Sequence, residues 1–101
     1  MLYLKFDNIE EMQNFFFKDD KDYELIYDNT YKCIEEAVEA GEDSATLVVV
    51  AFENKRDEVV MKSKSKDFED ALKTCLNYFE HTEDYDKCKK ISTLLEKLKQ
   101  R

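Results

Sequence analysis

The feature that most constrains the fold lies in the C-terminal third. Phe68, Ala71, Leu72, Cys75, Leu76 and Phe79 recur at helical spacing, Thr82-Glu83-Asp84 interrupts them, and Tyr85, Cys88, Ile91, Leu95 and Leu98 resume the period. Two amphipathic helices joined by so short a break form a hairpin. Each carries one apolar stripe that cannot stay in water, so the pair must close on itself and on whatever the rest of the chain supplies. With 101 residues the chain is of single-domain size and can withdraw roughly two thirds of its unfolded surface from solvent. One core is the limit, and residues 1–101 are read as one α+β domain.

Upstream, Leu2, Leu4 and Phe6 alternate with Tyr3 and Lys5, a strand with one apolar face. Asp7-Asn8 offers caps for a helix on Ile9, Met12, Phe15 and Phe16. The charged run Lys18 to Asp22 breaks that period, and its acids suit the first turn of a second helix on Tyr23, Ile26, Tyr27, Thr30, Tyr31, Ile34, Ala37 and Val38. Gly41, the only glycine, falls where a left-handed residue ends that helix. Ala45 to Phe52 reads as a central strand covered on both faces, Glu53 to Asp57 as a turn, and Glu58 to Lys62 as the returning strand. Ser63 to Lys66 links to the hairpin, with Ser65 or Asp67 capping its first helix and Thr82 its second, ahead of Glu83 and Asp84. The order is β-α-α-β-β-α-α: a small, three-stranded, mostly antiparallel sheet covered by helices.

No basic start leads into an apolar run of signal length, and Ala45 to Phe52 is too short to span a bilayer. A cytoplasmic protein without membrane contact is expected. Cys33, Cys75 and Cys88 are odd in number and lack CxxC spacing, which fits reduced thiols in a core. His81 is the lone histidine, at the hairpin junction, where capping or plain exposure is the ordinary role. Asp20-Lys21-Asp22-Tyr23-Glu24 opens like a calcium loop, but Leu25 stands where the sharp turn needs Gly and Tyr31 where a bidentate Glu should close the site. One glycine rules out a Gly-rich phosphate loop. No catalytic residue, cofactor or metal is expected.

Charge placement is more telling than the net of −8: residues 1–52 carry −9 and residues 53–101 carry +1. Glu35, Glu36, Glu39, Glu42 and Asp43 put five carboxylates within nine residues, a span of roughly 13 Å at helical rise. One charge per roughly 2.6 Å approaches the one per ~1.7 Å of duplex DNA. They crowd a helix C-terminus, where the dipole disfavours anions. Basic residues gather at Lys62, Lys64 and Lys66, and at Lys87, Lys89 and Lys90. Acids surround the second group, and no aromatic interleaves the first, which weighs against direct contact with nucleic acid.

Ala71-Leu72-Lys73-Thr74-Cys75-Leu76-Asn77-Tyr78-Phe79-Glu80, followed by Glu83-Asp84-Tyr85-Asp86-Lys87-Cys88, resembles the C-terminal segment of small acidic accessory proteins of large tailed phages. The resemblance covers about a third of the chain. It implies a non-enzymatic protein made during infection, in the host cytoplasm, that binds and redirects a host or defence component. It supplies no functional residues. The expected site is therefore the Glu35, Glu36, Glu39, Glu42 and Asp43 cluster, docking on a basic surface, with mimicry of nucleic acid as the sharper form. The alternative is a nucleic-acid-binding module using Lys62, Lys64, Lys66 and the C-terminal lysines. An exposed edge strand or leftover apolar stripe would also allow a homodimer.

Overall fold

In the computed structural model, residues 1–17, 20–53, 56 and 58–100 are described, at 16, 17 and 20–22 by their backbone alone. The elements run β1 (Leu2–Phe6), α1 (Ile9–Phe17), α2 (Asp20–Ala40), β2 (Ser44–Phe52), β3 (Glu58–Lys64), a 3-10 turn at Ser65–Asp67, α3 (Phe68–His81) and α4 (Tyr85–Lys99). This is the expected α+β order, ending in the helical hairpin. The expected turn positions Asn54, Lys55 and Asp57, the helix-breaking Lys18 and Asp19, and Arg101 lie outside the described residues.

The sheet is mixed, in the order β1-β2-β3. β2 and β3 pair antiparallel from Ser44↔Lys64 to Ala51↔Glu58. β1 runs parallel to β2, from Leu2↔Val48 to Phe6↔Phe52, because α1 and α2 return the chain to the end it started from. β3 extends two residues past the expected Lys62, so Ser63 and Lys64 belong to the ladder rather than to a linker.

A bulge separates Thr46 from Val48, and it keeps Ala45, Val48, Val50 and Phe52 on one face despite their spacing. Leu47 is the extra residue. Its carbonyl accepts a hydrogen bond from Asn29 Nδ2 of α2 at 2.7 Å, so the group freed by the irregularity is satisfied from the helix layer.

Two hydrophobic clusters form on the helix side. The larger joins Tyr31, Cys33, Ile34 and Ala37 of α2, Ala45, Phe68, Leu72, Cys75 and Phe79 of α3, and Ile91 and Leu94 of α4. The smaller joins Phe6, Val48 and Val50, with Leu2, Leu4, Met12, Phe15 and Phe52 half-buried around them. Leu47 packs against both.

Cover on both faces of the Val48 to Val50 block is not what the structure shows. Val49 and Ala51 are buried yet belong to neither helix-packed cluster. The Tyr3 hydroxyl of β1 instead donates to Glu58 Oε1 of β3 at 2.9 Å, spanning the central strand on its open face. Cα extents of 45 × 30 × 16 Å fit a sheet and one helix layer, spaced about 10 Å apart. Small residues and cross-strand partners do the covering that a second helix layer was expected to do.

The helix ends follow local chemistry. Asn8 caps α1, accepting from the Glu11 amide at 2.8 Å. Gly41 (φ 71°) closes α2 in a Schellman motif, with Gly41 N–H donating to Val38 at 3.2 Å and Glu42 N–H to Ala37 at 2.9 Å. α3 ends the same way, Glu83 N–H donating to Glu80 at 3.2 Å and Asp84 N–H to Phe79 at 2.9 Å. There the left-handed residue is Glu83 (φ 61°), the only non-glycine with positive φ among the described residues. This corrects the expected cap of α4. Thr82 belongs to the end of α3, its hydroxyl donating to Phe79 O at 3.3 Å, and Asp84 is the N-cap, accepting from the Lys87 amide at 3.3 Å. Asp67 precedes α3 without a side-chain capping bond. Leu94 is buried and Tyr85 is 66% exposed, so the α4 stripe runs through Leu94 rather than back to Tyr85.

Candidate functional site

The acidic end of α2 divides in two. Glu36, Glu39, Glu42 and Asp43 are exposed and Glu35 is half-buried. Glu35 lines a shallow groove with Asp86, Lys89, Lys90 and Thr93 of α4. Asp43 borders a second groove with Ser65, Lys66, Glu69 and Leu98, and its carbonyl accepts from the Ser65 amide at 2.7 Å. Two of the five expected residues thus stand beside lysines of the second half of the chain. Among the described residues, Glu36, Glu39 and Glu42 are in no ion pair. The last turn of α2 carries no base, whereas α4 ends on Lys97 and Lys99. The free carboxylates therefore face a dipole that disfavours them.

Further up the same helix, the acids are engaged. Asp28 pairs with Lys32 at 2.9 Å and with Lys87 of α4 at 3.3 Å. Lys87 also reaches Glu24 at 3.7 Å and Asp84 at 3.7 Å, and lies 4.9 Å from the centre of the Phe79 ring. Burial pushes the Asp28 carboxyl up, but the ammonium groups of Lys32 and Lys87 outweigh it and hold the group below its usual range. Burial likewise works against the charged Lys87, and Asp28 more than offsets it. Lys87, expected among the basic surface residues, is a tie between α4 and α2. Nothing in the sequence spacing marks it, since Asp28 is distant along the chain.

The open sheet face gathers a set the sequence reading did not assemble. Strand alternation places Lys62 and Lys64 of β3 on the same side as Tyr3, Lys5, Val60 and Glu58. Tyr3 is 57% exposed, and its hydroxyl is pushed above its ordinary pKa first by the hydrogen bond to Glu58 and then by that residue's charge. Lys66 lies apart, in the 3-10 turn beside Asp43. At the far end of the sheet, Glu53 is pushed up by a hydrogen bond with Asp7 and by that residue's charge.

His81 is exposed and lines a groove of about 460 Å³ with Tyr27, Thr74, Asn77, Tyr78 and Thr82. The thiols lie elsewhere. Cys75 is buried, its Sγ donating to Tyr27 O at 3.6 Å, and burial pushes its pKa up to about 12; it stays protonated at neutral pH and cannot act as a thiolate. Cys33 is buried and Cys88 half-buried, both free. Among the described residues, no group of three or more His, Cys, Asp or Glu could hold a metal ion, and no helix is long and apolar enough to cross a membrane. Comparison with protein-family models, curated proteins and solved structures gives no match.

Proposed function

We propose that this protein is a non-enzymatic acidic binding protein that docks the end of α2 on a basic protein surface. A phage-type inhibitor or modulator of a host or defence protein is the form that the C-terminal resemblance suggests, and mimicry of nucleic acid its sharper version. The observation that carries the reading is the exposure of Glu36, Glu39 and Glu42, which no cation pairs among the described residues, on a helix end that disfavours them. Carboxylates in that setting cost local stability, about 0.3–1 kcal/mol each, and gain most from an external cation. The test is capture from nuclease-treated bacterial lysate by tagged wild type beside a Glu36, Glu39, Glu42→Lys variant of unchanged circular dichroism. A partner held by wild type alone, associating more slowly as salt rises, supports the reading. Equal capture by both overturns it, and failure of duplex DNA to compete removes the mimicry version.

A second reading is favoured by the open face. Lys5, Lys62 and Lys64 share it with an exposed Tyr3, an arrangement that suits phosphates and a stacked base. It replaces the expected Lys62, Lys64 and Lys66 set, since Lys66 sits elsewhere and Lys87 is occupied. Titration of a labelled oligonucleotide at low ionic strength decides it: salt-sensitive binding lost in Lys5, Lys62, Lys64→Gln supports it, and no binding removes it.

A further inference from the structure

β3 is an edge strand, and its outer side carries no partner among the described residues. Val59, Val60 and Met61 in its middle are 51%, 46% and 44% exposed. Three consecutive large apolar residues on an unpaired edge are a template for another strand. What that strand should be is set by the charges around them. The strand reads Glu58-Val59-Val60-Met61-Lys62-Ser63-Lys64, with an acid at one end and lysines at the other.

We propose that the protein forms a two-fold dimer by antiparallel pairing of β3 with β3 of a second copy, centred on Val60. In that register Glu58 of each copy lies opposite Lys62 of the other, twice by symmetry, and Val59 lies opposite Met61 twice. Moving the centre to Met61 still sets Glu58 against a lysine, Lys64, but puts Val60 opposite Lys62 and Val59 opposite the buried Ser63. Only the Val60-centred register matches charge with charge and apolar with apolar. Glu58 is also prepared for it, because Tyr3 occupies Oε1 and leaves Oε2 for an incoming ammonium. Lysines on an edge ordinarily block pairing. Here Glu58 on the same strand answers Lys62, so the lysines select one register instead of forbidding all.

The dyad of an antiparallel pair stands perpendicular to the sheet. The two helix layers therefore fall on the same side of a continuous six-stranded sheet, and both open faces join on the other. Docking through α2 remains possible in the dimer. The two readings differ in the residues they need: self-association depends on Glu58 and Lys62 of β3, whereas docking on a basic partner depends on Glu36, Glu39 and Glu42.

The experiment is sedimentation velocity of the full chain over a wide concentration range, for wild type, Lys62→Glu, Glu58→Lys and the double exchange, with circular dichroism confirming each fold. A concentration-dependent dimer is expected in wild type, about tenfold weaker in each single variant and recovered in the double exchange. A wild type that stays monomeric at its solubility limit, or a dimer indifferent to both single exchanges, overturns the proposal. Should a charge variant unfold, Val60→Cys decides: symmetric pairing gives a disulfide dimer under mild oxidation at position 60 in preference to Val59→Cys or Met61→Cys, and equal or no cross-linking at the three overturns it.

Discussion

The two hydrophobic clusters differ in depth and in where their residues come from. The larger buries eleven side chains drawn from α2, the start of β2, α3 and α4, all in the stretch from Tyr31 to Leu94. The smaller buries only Phe6, Val48 and Val50, and depends on β1 and α1 at the amino end meeting a strand more than forty residues away. The helical cluster encloses its side chains on several sides, whereas the sheet cluster has helix on one face and solvent at its rim. Local stability should follow that division, with β1 and α1 opening well before the hairpin.

Phe79→Ala is the largest perturbation expected. It removes a fully buried ring that meets Tyr31 at 6.4 Å and Tyr78 at 5.2 Å, and should cost about 3–5 kcal/mol in denaturant unfolding. Phe15→Ala, whose half-buried ring lies 5.6 Å from Phe6, should cost about 1–2 kcal/mol. Hydrogen exchange would then show β1 amides losing protection while α3 amides keep theirs. Equal loss in both would mean one undivided core.

Smaller effects test the larger cluster's outer ties. Asp28→Asn should cost about 1 kcal/mol near neutral pH and loosen α4 without touching β1. The sign with pH follows from the depressed Asp28 carboxyl: its contribution is present above the unfolded carboxylate value of about 3.9 and is lost as pH falls through the lower folded value. Urea midpoints measured towards low pH should therefore converge for wild type and variant. Smallest is Glu83→Gly, which relieves a left-handed backbone and should stabilise by about 0.5–1 kcal/mol, matching the α3 end to the glycine end of α2. A variant less stable than wild type would show that Glu83 does something beyond turning the chain.

Much of this architecture could be read from the sequence because its signals are local. The stripes of α3 and α4, the Asn8 cap, the Gly41 stop and the alternation in β1 each rest on residues a few positions apart. The errors arise where chain-distant groups decide. Thr82 looks like an N-cap, but Asp84 is stationed to accept the Lys87 amide while Lys87 reaches across to Asp28. Val49 and Ala51 look like strand positions needing helices on both sides, yet Tyr3 and Glu58 close over them. The site shows the same limit. The acidic run was visible, but not that Glu35 and Asp43 would share grooves with lysines of the second half, nor that Lys5 would join Lys62 and Lys64 across the sheet.

The parallel pairing of Leu2 with Val48 has a consequence for synthesis. On the ribosome, the strand made first has no ladder to join until the whole of β2 has emerged behind two helices. During that interval Leu2, Leu4 and Phe6 are a short apolar segment without its partner strand, open to chaperones, proteases or another nascent chain. A translation product stopped before Val48 would keep that segment exposed for as long as it lasted.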